Sequence, residues 1–222
     1  MKALWQQIPS TEITKLYCNT NFDAVVLDLE HGVFNNENLY SLIQLVKTTE
    51  QSNIETYVFF DSSTILLNQR ERLVKMAMEV DSDYILWLDS DMTFPSTTLL
   101  RLLSHEKDIV GCNYLKRSKP VKPVAYRNVG DWDSWVPMDI KDELVKVEGV
   151  GMGCILMKTD LFKQLEKPYF EFRYKEDTDD WFGEDFILFE KLRNLGGEIF
   201  IDTLLSNEIG HLGIYSFGKS NQ

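Results

Sequence analysis

The sequence predicts an α/β fold built on an open, mostly parallel central sheet with helices on both faces. Three observations predict it. Over the first 110 residues, short apolar runs alternate with stretches of helical periodicity, the pattern of successive βαβ units. The run Tyr84–Leu88 stops at Asp89, placing an acidic residue at the carboxyl edge of a buried strand, where open α/β sheets bind ligands. The 222 residues, 44% hydrophobic and 26% charged, have the composition of a chain that buries a core of its own. With no repeat, low-complexity tract or linker, residues 1–222 are expected to form a single domain.

The elements follow in order. Ala24–Leu29 reads as a buried strand. Asn35, Asn36 and Glu37 suit a helix start, and Leu39, Leu42, Ile43 and Val46 recur at helical spacing behind them. Thr56–Phe60 is a second strand, turned by Asp61-Ser62-Ser63 into a helix over Leu66–Val80 with Leu66, Leu73, Val74, Ala77 and Met78 on one face. Tyr84–Leu88 is the third strand, and a helix capped by Ser96 runs to His105. Ile109–Cys112 is a fourth strand. From Leu115 to Glu148, prolines and the Trp132/Trp135 pair predict loops or an antiparallel excursion. Gly149–Met157 is expected as a glycine-rich strand, Asp160–Leu165 as a short helix, and Glu184–Leu195 as a helix closed by Gly196-Gly197. Ile199–Asp202 is the last strand.

Charge narrows the function. Against 23 Lys and Arg stand 35 Asp and Glu, and a net charge of −12 disfavours nucleic acid and anionic lipid as partners. Cys18, Cys112 and Cys154 form neither a disulfide framework nor a zinc pattern and suit a reducing compartment. No signal peptide and no transmembrane segment is evident, so a cytoplasmic location is expected.

Four places could carry chemistry. Asp-x-Asp spacing occurs four times, at 81/83, 89/91, 131/133 and 177/179, so spacing alone means little. Asp89 and Asp91 stand out because they follow a buried strand. Two carboxylates there repel unless a divalent cation with oxygen preference, Mg²⁺ or Mn²⁺, lies between them; the other reading is a solvated turn. Glu184 and Asp185 open a helix, where the dipole alone favours acids; equally, Trp181 and Phe182 could desolvate a general base. His211, between Gly210 and Leu212-Gly213, is either a satisfied core residue or the partner of Asp91 at a cation. Arg70, Arg72 and the Lys116-Arg117 pair are candidate phosphate contacts, with ordinary surface charge the simpler reading of Lys116. Neither a dinucleotide or P-loop glycine motif nor a Gly-x-Ser-x-Gly elbow is present.

From about residue 56 to 213 the chain resembles a nucleotide-sugar glycosyltransferase of the GT-A fold, family 2 type. The resemblance rests on Asn68–Val74, Asp83–Pro95, Asp108–Tyr114, Gly149–Cys154, Phe182–Phe186 and Gly210–Gly213, in family order. It implies a single GT-A-like domain: a Rossmann-like nucleotide- and metal-binding half (1–110) and an acceptor and catalytic half (111–222). Asp89, Asp91 and His211 would hold Mn²⁺ or Mg²⁺, with Asp89 also reaching the ribose. Arg70 would hold the nucleotide, Asp61 is a candidate for the nucleoside, and Gly151-Met152-Gly153 would floor the donor site. Asp185 would be the base of an inverting transfer, with Glu184 its acidic neighbour. The donor would be a nucleotide sugar, a UDP-sugar most commonly, and the acceptor a glycan, lipid or protein.

Residues 1–60 resemble instead the start of an HpcH/HpaI-type pyruvate aldolase, through Phe22–Phe34 with its Asp28-Leu29-Glu30-His31-Gly32 run. That resemblance implies an acid/base role for His31 in a lyase acting on a 2-oxo acid. A GT-A module that only binds sugar is the remaining alternative. Asp28 and Glu30 stand with Asp61 as candidate nucleoside contacts.

Overall fold

The computed structural model describes the backbone of residues 25–28 and, in full, residues 36–61, 63–131, 133–176 and 179–213. Their main sheet has seven strands in the order β2-β1-β3-β7-β5-β10-β6. These are β1 (Val25–Asp28), β2 (Val58–Asp61), β3 (Tyr84–Asp89), β5 (Ile109–Gly111), β6 (Leu144–Val147), β7 (Cys154–Lys158) and β10 (Ile199–Asp202). The pairings β1–β2, β1–β3 and β5–β10 are parallel; β3–β7, β5–β7 and β6–β10 are antiparallel. The sheet is therefore mixed rather than mostly parallel by pairing. Because β7 opposes both β3 and β5, strands β1, β2, β3, β5 and β10 nonetheless share one direction and one carboxyl edge. It is an open sheet, not the closed parallel barrel of the aldolase type, and His31 lies outside the described residues.

Side chains of successive strand residues point to opposite faces, yet Ile85, Leu86, Trp87 and Leu88 are all buried, so both faces of the sheet centre are covered. Trp87 packs edge-on to Phe170, 5.7 Å between ring centres, with Phe162 beside them. The helices are α1 (Asn36–Gln51), α2 (Leu66–Glu79), α3 (Thr98–Ser104), α4 (Asp160–Lys163), α5 (Glu184–Asn194) and α6 (Thr203–Ser206). As expected, α5 ends in a glycine cap: Gly196 has φ +87°, and the Gly196 and Gly197 amides close on Arg193 and Leu192. Cys112, just after β5, and Cys154, which opens β7, are buried free thiols that hydrogen-bond to one another, and Cys112 N also donates to Cys154 O at 3.0 Å.

Several local expectations are corrected. The glycine-rich run is not strand until Cys154; Gly149–Gly153 is the loop that leads into β7. Leu144–Val147, within the stretch read as loops or an antiparallel excursion, is an antiparallel edge strand, β6. Helix α3 begins at Thr98 and draws no side-chain cap from Ser96; the Thr98 hydroxyl instead donates to Pro95 O at 2.8 Å. Two short pairings were not foreseen: the hairpin β8–β9 (Arg173–Lys175 with Asp180–Phe182), and β4 (Met92–Thr93) with β11 (Gly210–His211). On α1 the buried face is Asn38, Ser41, Leu42, Leu45 and Thr49, while Ile43 is 54% exposed. The helix is rotated toward its polar residues because these serve the turn after β3. Asn38 Nδ2 donates to Met92 O at 2.7 Å and Asp89 O at 3.2 Å, and Ser41 Oγ accepts from Phe94 N at 3.4 Å.

Asn38→Ala removes both donors from a fully buried position and strands two carbonyls. It is expected to cost about 1–3 kcal/mol in denaturant unfolding, whereas Ile43→Ala on the exposed side of the same helix should cost less than about 0.5 kcal/mol.

Candidate functional site

The carboxyl edge concentrates acids. Asp28, Asp61 and Asp89 end β1, β2 and β3, and Asp28 is in register with each of the other two. Most carboxylates at this edge have structural partners. Asp61 accepts from Arg72 Nε at 2.5 Å and does not line the cavity described below. Asp202, ending β10, takes His105 Nε2 at 3.0 Å and caps α6 through Leu205 N.

Asp89 and Asp91 sit on a turn held from two sides. Asn38 grips it from α1. From the other side β11 pairs with β4, and Leu212 N donates to Asp91 O at 2.7 Å. That pairing brings His211 Nε2 within 3.5 Å of Asp91 Oδ2. Arg117 Nη2 also reaches Asp91 Oδ2, at 2.8 Å. His211 Nδ1 lies 2.8 Å from Leu115 O and can only donate there, so in the neutral ring the Nε2 lone pair faces Asp91. Burial lowers the His211 pKa, but bonds to Asp91 and the Leu115 carbonyl and the Asp91 charge outweigh it and raise the value overall.

The glycine loop meets this turn at the start of β7. Asp89 N donates to Gly153 O at 3.1 Å. A Cβ on Gly153 would lie 2.5 Å from Tyr114 Oη and 3.0 Å from Asp89 Oδ2, and one on Gly151 would lie 2.6 Å from Tyr114 Oη. The glycines exist to admit that phenol. Tyr114 Oη accepts from Gly153 N at 3.0 Å, and its ring meets His211 edge-on at 5.3 Å. Burial, and then the Asp89 charge, push its pKa well above the ordinary value.

Across the cavity, α5 presents Glu184 and Asp185 in its first turn. Glu184 is buried against Arg70 Nη1 of α2 at 2.5 Å, and the same nitrogen approaches Met152 Sδ at 3.4 Å. Asp185 Oδ1 accepts from Phe186 N at 2.8 Å. Burial, followed by the neighbouring Glu184 charge, raises Asp185 to about 7 against the weaker pull of Arg70, the Phe186 amide and Lys116. Phe182 is buried beside this turn, while Trp181 is 63% exposed on the β8–β9 hairpin.

These parts line one cavity of about 470 Å³. Of the residues singled out from the sequence, Arg70, Asp89, Gly151, Met152, Glu184, Asp185 and His211 are in its wall, and Asp91 stands behind His211. Lys116 and Arg117, the candidate phosphate contacts, line it too, and Tyr114 joins them. Tyr114 was overlooked as a site residue; the signal for it is the pair of glycines at 151 and 153, which only a bulky neighbour explains. Among the described residues no three His, Cys, Asp or Glu side chains converge into a metal cluster. The donor chemistry still fits a divalent cation, since Asp91 and an oriented imidazole lie together and such ions complete their shells with water and phosphate oxygens. Among the described residues, no helix is long and apolar enough to cross a membrane.

No family model and no curated protein matches the chain. Among solved structures, A197 from STIV matches with a TM-score of 0.53 at 16% identity, covering 88% of this chain and 96% of that one. The shared feature is the fold. It is a mixed α/β fold with an open central sheet. A Drosophila β-1,4-galactosyltransferase 7 in complex with manganese, UDP-Gal and xylobiose gives a TM-score of 0.45 at 13% identity, over 89% of this chain and 78% of that one. S. aureus TarS 1–349 gives 0.44 at 15% identity, over 82% and 58%.

Arg70 and Glu184 join α2 to α5 beneath the cavity. Arg70→Met leaves the Glu184 charge buried alone and is expected to cost about 3–5 kcal/mol by chemical denaturation. The double variant Arg70→Met/Glu184→Met should cost less than Arg70→Met by itself.

Proposed function

We propose that this chain is a metal-dependent glycosyltransferase that moves a sugar from a nucleotide diphosphate to an acceptor hydroxyl with inversion. The observation that carries the proposal is the opposition, across one cavity, of Asp89 on the sheet edge and Asp185 on α5, with the Asp185 pKa near 7. A carboxylate of that basicity is matched to removing a hydroxyl proton near neutral pH, as one at its ordinary value is not. The domain is read as two halves, residues 1–110 for the nucleotide and metal and 111–222 for the acceptor.

In this reading Asp185 takes the acceptor proton as the hydroxyl oxygen attacks the anomeric carbon in line, and the bond from that carbon to the diphosphate oxygen breaks. Glu184, held by Arg70, keeps negative charge next to Asp185 and so sustains its basicity. Gly151, Met152 and Gly153 would floor the donor site, with Tyr114 seated against both glycines in support of that floor. Asp91 and His211 would hold Mn²⁺ or Mg²⁺, with Asp89 toward the ribose or a metal-bound water. When bound, the cation supplies positive charge against the charge developing on the leaving diphosphate. Lys116 and Arg117 add to it from the protein side. A UDP-sugar donor is the first to test, with a glycan, lipid or protein as acceptor.

Two outcomes are expected. Thermal unfolding with Mn²⁺ and UDP, GDP or dTDP at about a hundred times the dissociation constant should raise the midpoint by about 5–10 °C. The shift should vanish with chelator and in Asp91→Ala; a shift that survives both sinks the metal assignment. Turnover should rise with pH through about 7 as Asp185 ionises, and Asp185→Asn should lower it by about 10²–10⁴-fold without weakening donor binding. The same group has a stability signature of opposite sign. Between its ordinary value and about 7 only the folded state keeps the proton, so stability falls as pH rises through that window. Asp185→Asn should flatten that fall.

A further inference from the structure

A second cavity of about 510 Å³ adjoins the first, and the two share Lys116, Arg117 and His211 as a common wall. Its floor is apolar: Leu115, Val121, Met138 and Ile209. Among the described residues no carboxylate lines it, Asp91 reaching it only through its 2.8 Å bond to Arg117. In a chain with 35 acids among 222 residues, that is a local reversal of the prevailing charge. The acid nearest in sequence, Glu208, is drawn off by Arg101 Nη1 at 2.5 Å. The cavity thus pairs a cationic rim with an apolar bed inside an otherwise acidic protein.

We propose that this cavity binds a phosphorylated ligand, with phosphoryl oxygens against Lys116 and Arg117 and the organic body over Leu115, Val121, Met138 and Ile209. The Arg117 fork suits phosphoryl oxygens better than a single-point anion, and its present partner Asp91 is one it can exchange, because the Arg117 side chain is 41% exposed. Lys116 Nζ donates to Tyr126 Oη at 2.6 Å, a neutral partner that leaves its charge unpaired by that bond. A polyanion such as nucleic acid is disfavoured by the chain's overall net charge of −12. The phosphoryl group has two possible sources, the diphosphate of the donor or a separate phosphorylated acceptor. Binding itself does not depend on the transfer reaction.

The test is calorimetric titration with octyl phosphate in excess chelator. Wild-type protein should bind it, and Val121→Glu should weaken binding at least about tenfold by setting a like charge in the bed. Val121 is 60% exposed, so the variant should fold, which an unchanged unfolding midpoint would verify. Lys146→Met changes net charge equally but on strand β6, at a residue 63% exposed, and should bind as wild type does. No binding to wild type, equal binding to Val121→Glu, or equal weakening by Lys146→Met overturns the proposal. Repeating the titration with Mn²⁺ and saturating UDP or GDP then separates the sources. Exclusion means the donor diphosphate occupies the rim; unchanged affinity means a phosphorylated acceptor does. Octyl phosphate binding without any metal-linked nucleotide binding would sustain the cavity and sink the transferase reading.

Discussion

Everything at the candidate site depends on the direction of one strand. β7 runs antiparallel between β3 and β5, and the bond from Asp89 N to Gly153 O is where it joins the edge. Had β7 run with its neighbours, its last residue would have stood at the carboxyl edge. Reversed, it brings its entry loop there, and that loop is where the chain has glycines to spare. The room they leave is taken by Tyr114, whose hydroxyl accepts from Gly153 N while its ring abuts His211. A backbone register therefore decides which side chains share the cavity.

The electrostatics follow from crowding acids on one edge. Repulsion among carboxylates is relieved pairwise: Asp61 by Arg72, Asp202 by His105, Asp91 by Arg117 and His211, Glu184 by Arg70. Among the described residues Asp185 has no cation at contact distance and leans on the Phe186 amide, so burial and the Glu184 charge set its proton affinity. The buried Arg70–Glu184 pair is a weak source of stability, since two desolvated charges roughly cancel their own attraction. Its effect is on position, because it joins the helix after β2 to the helix that carries Asp185.

Some of this was legible from one dimension. Tyr84–Leu88 as a buried strand, the aspartates that follow it, the acids opening the helix at Glu184 and the glycines closing it at Gly196 all follow from spacing within a few residues, and the structure has each. Asn38 was not legible. It sits in an amphipathic helix as one more polar residue, and its meaning lies in two carbonyls some fifty residues away. The nearness of His211 to Asp91 was only one of two readings of that histidine, because a two-residue pairing such as β4–β11 leaves no periodicity to decide between them. The mostly parallel sheet was overcalled for a related reason, as an apolar run of five or six residues looks the same in either direction.

By itself, then, the sequence determined the layered α/β class, the places where strands give way to turns, and the acids stationed at those turns. These are matters of local sterics and hydrophobic period, which act between neighbours. Strand direction, the shared wall of Lys116, Arg117 and His211, and the basicity of Asp185 were decided only by tertiary structure. Each depends on which distant segments exclude water from one another, and no local spacing encodes that.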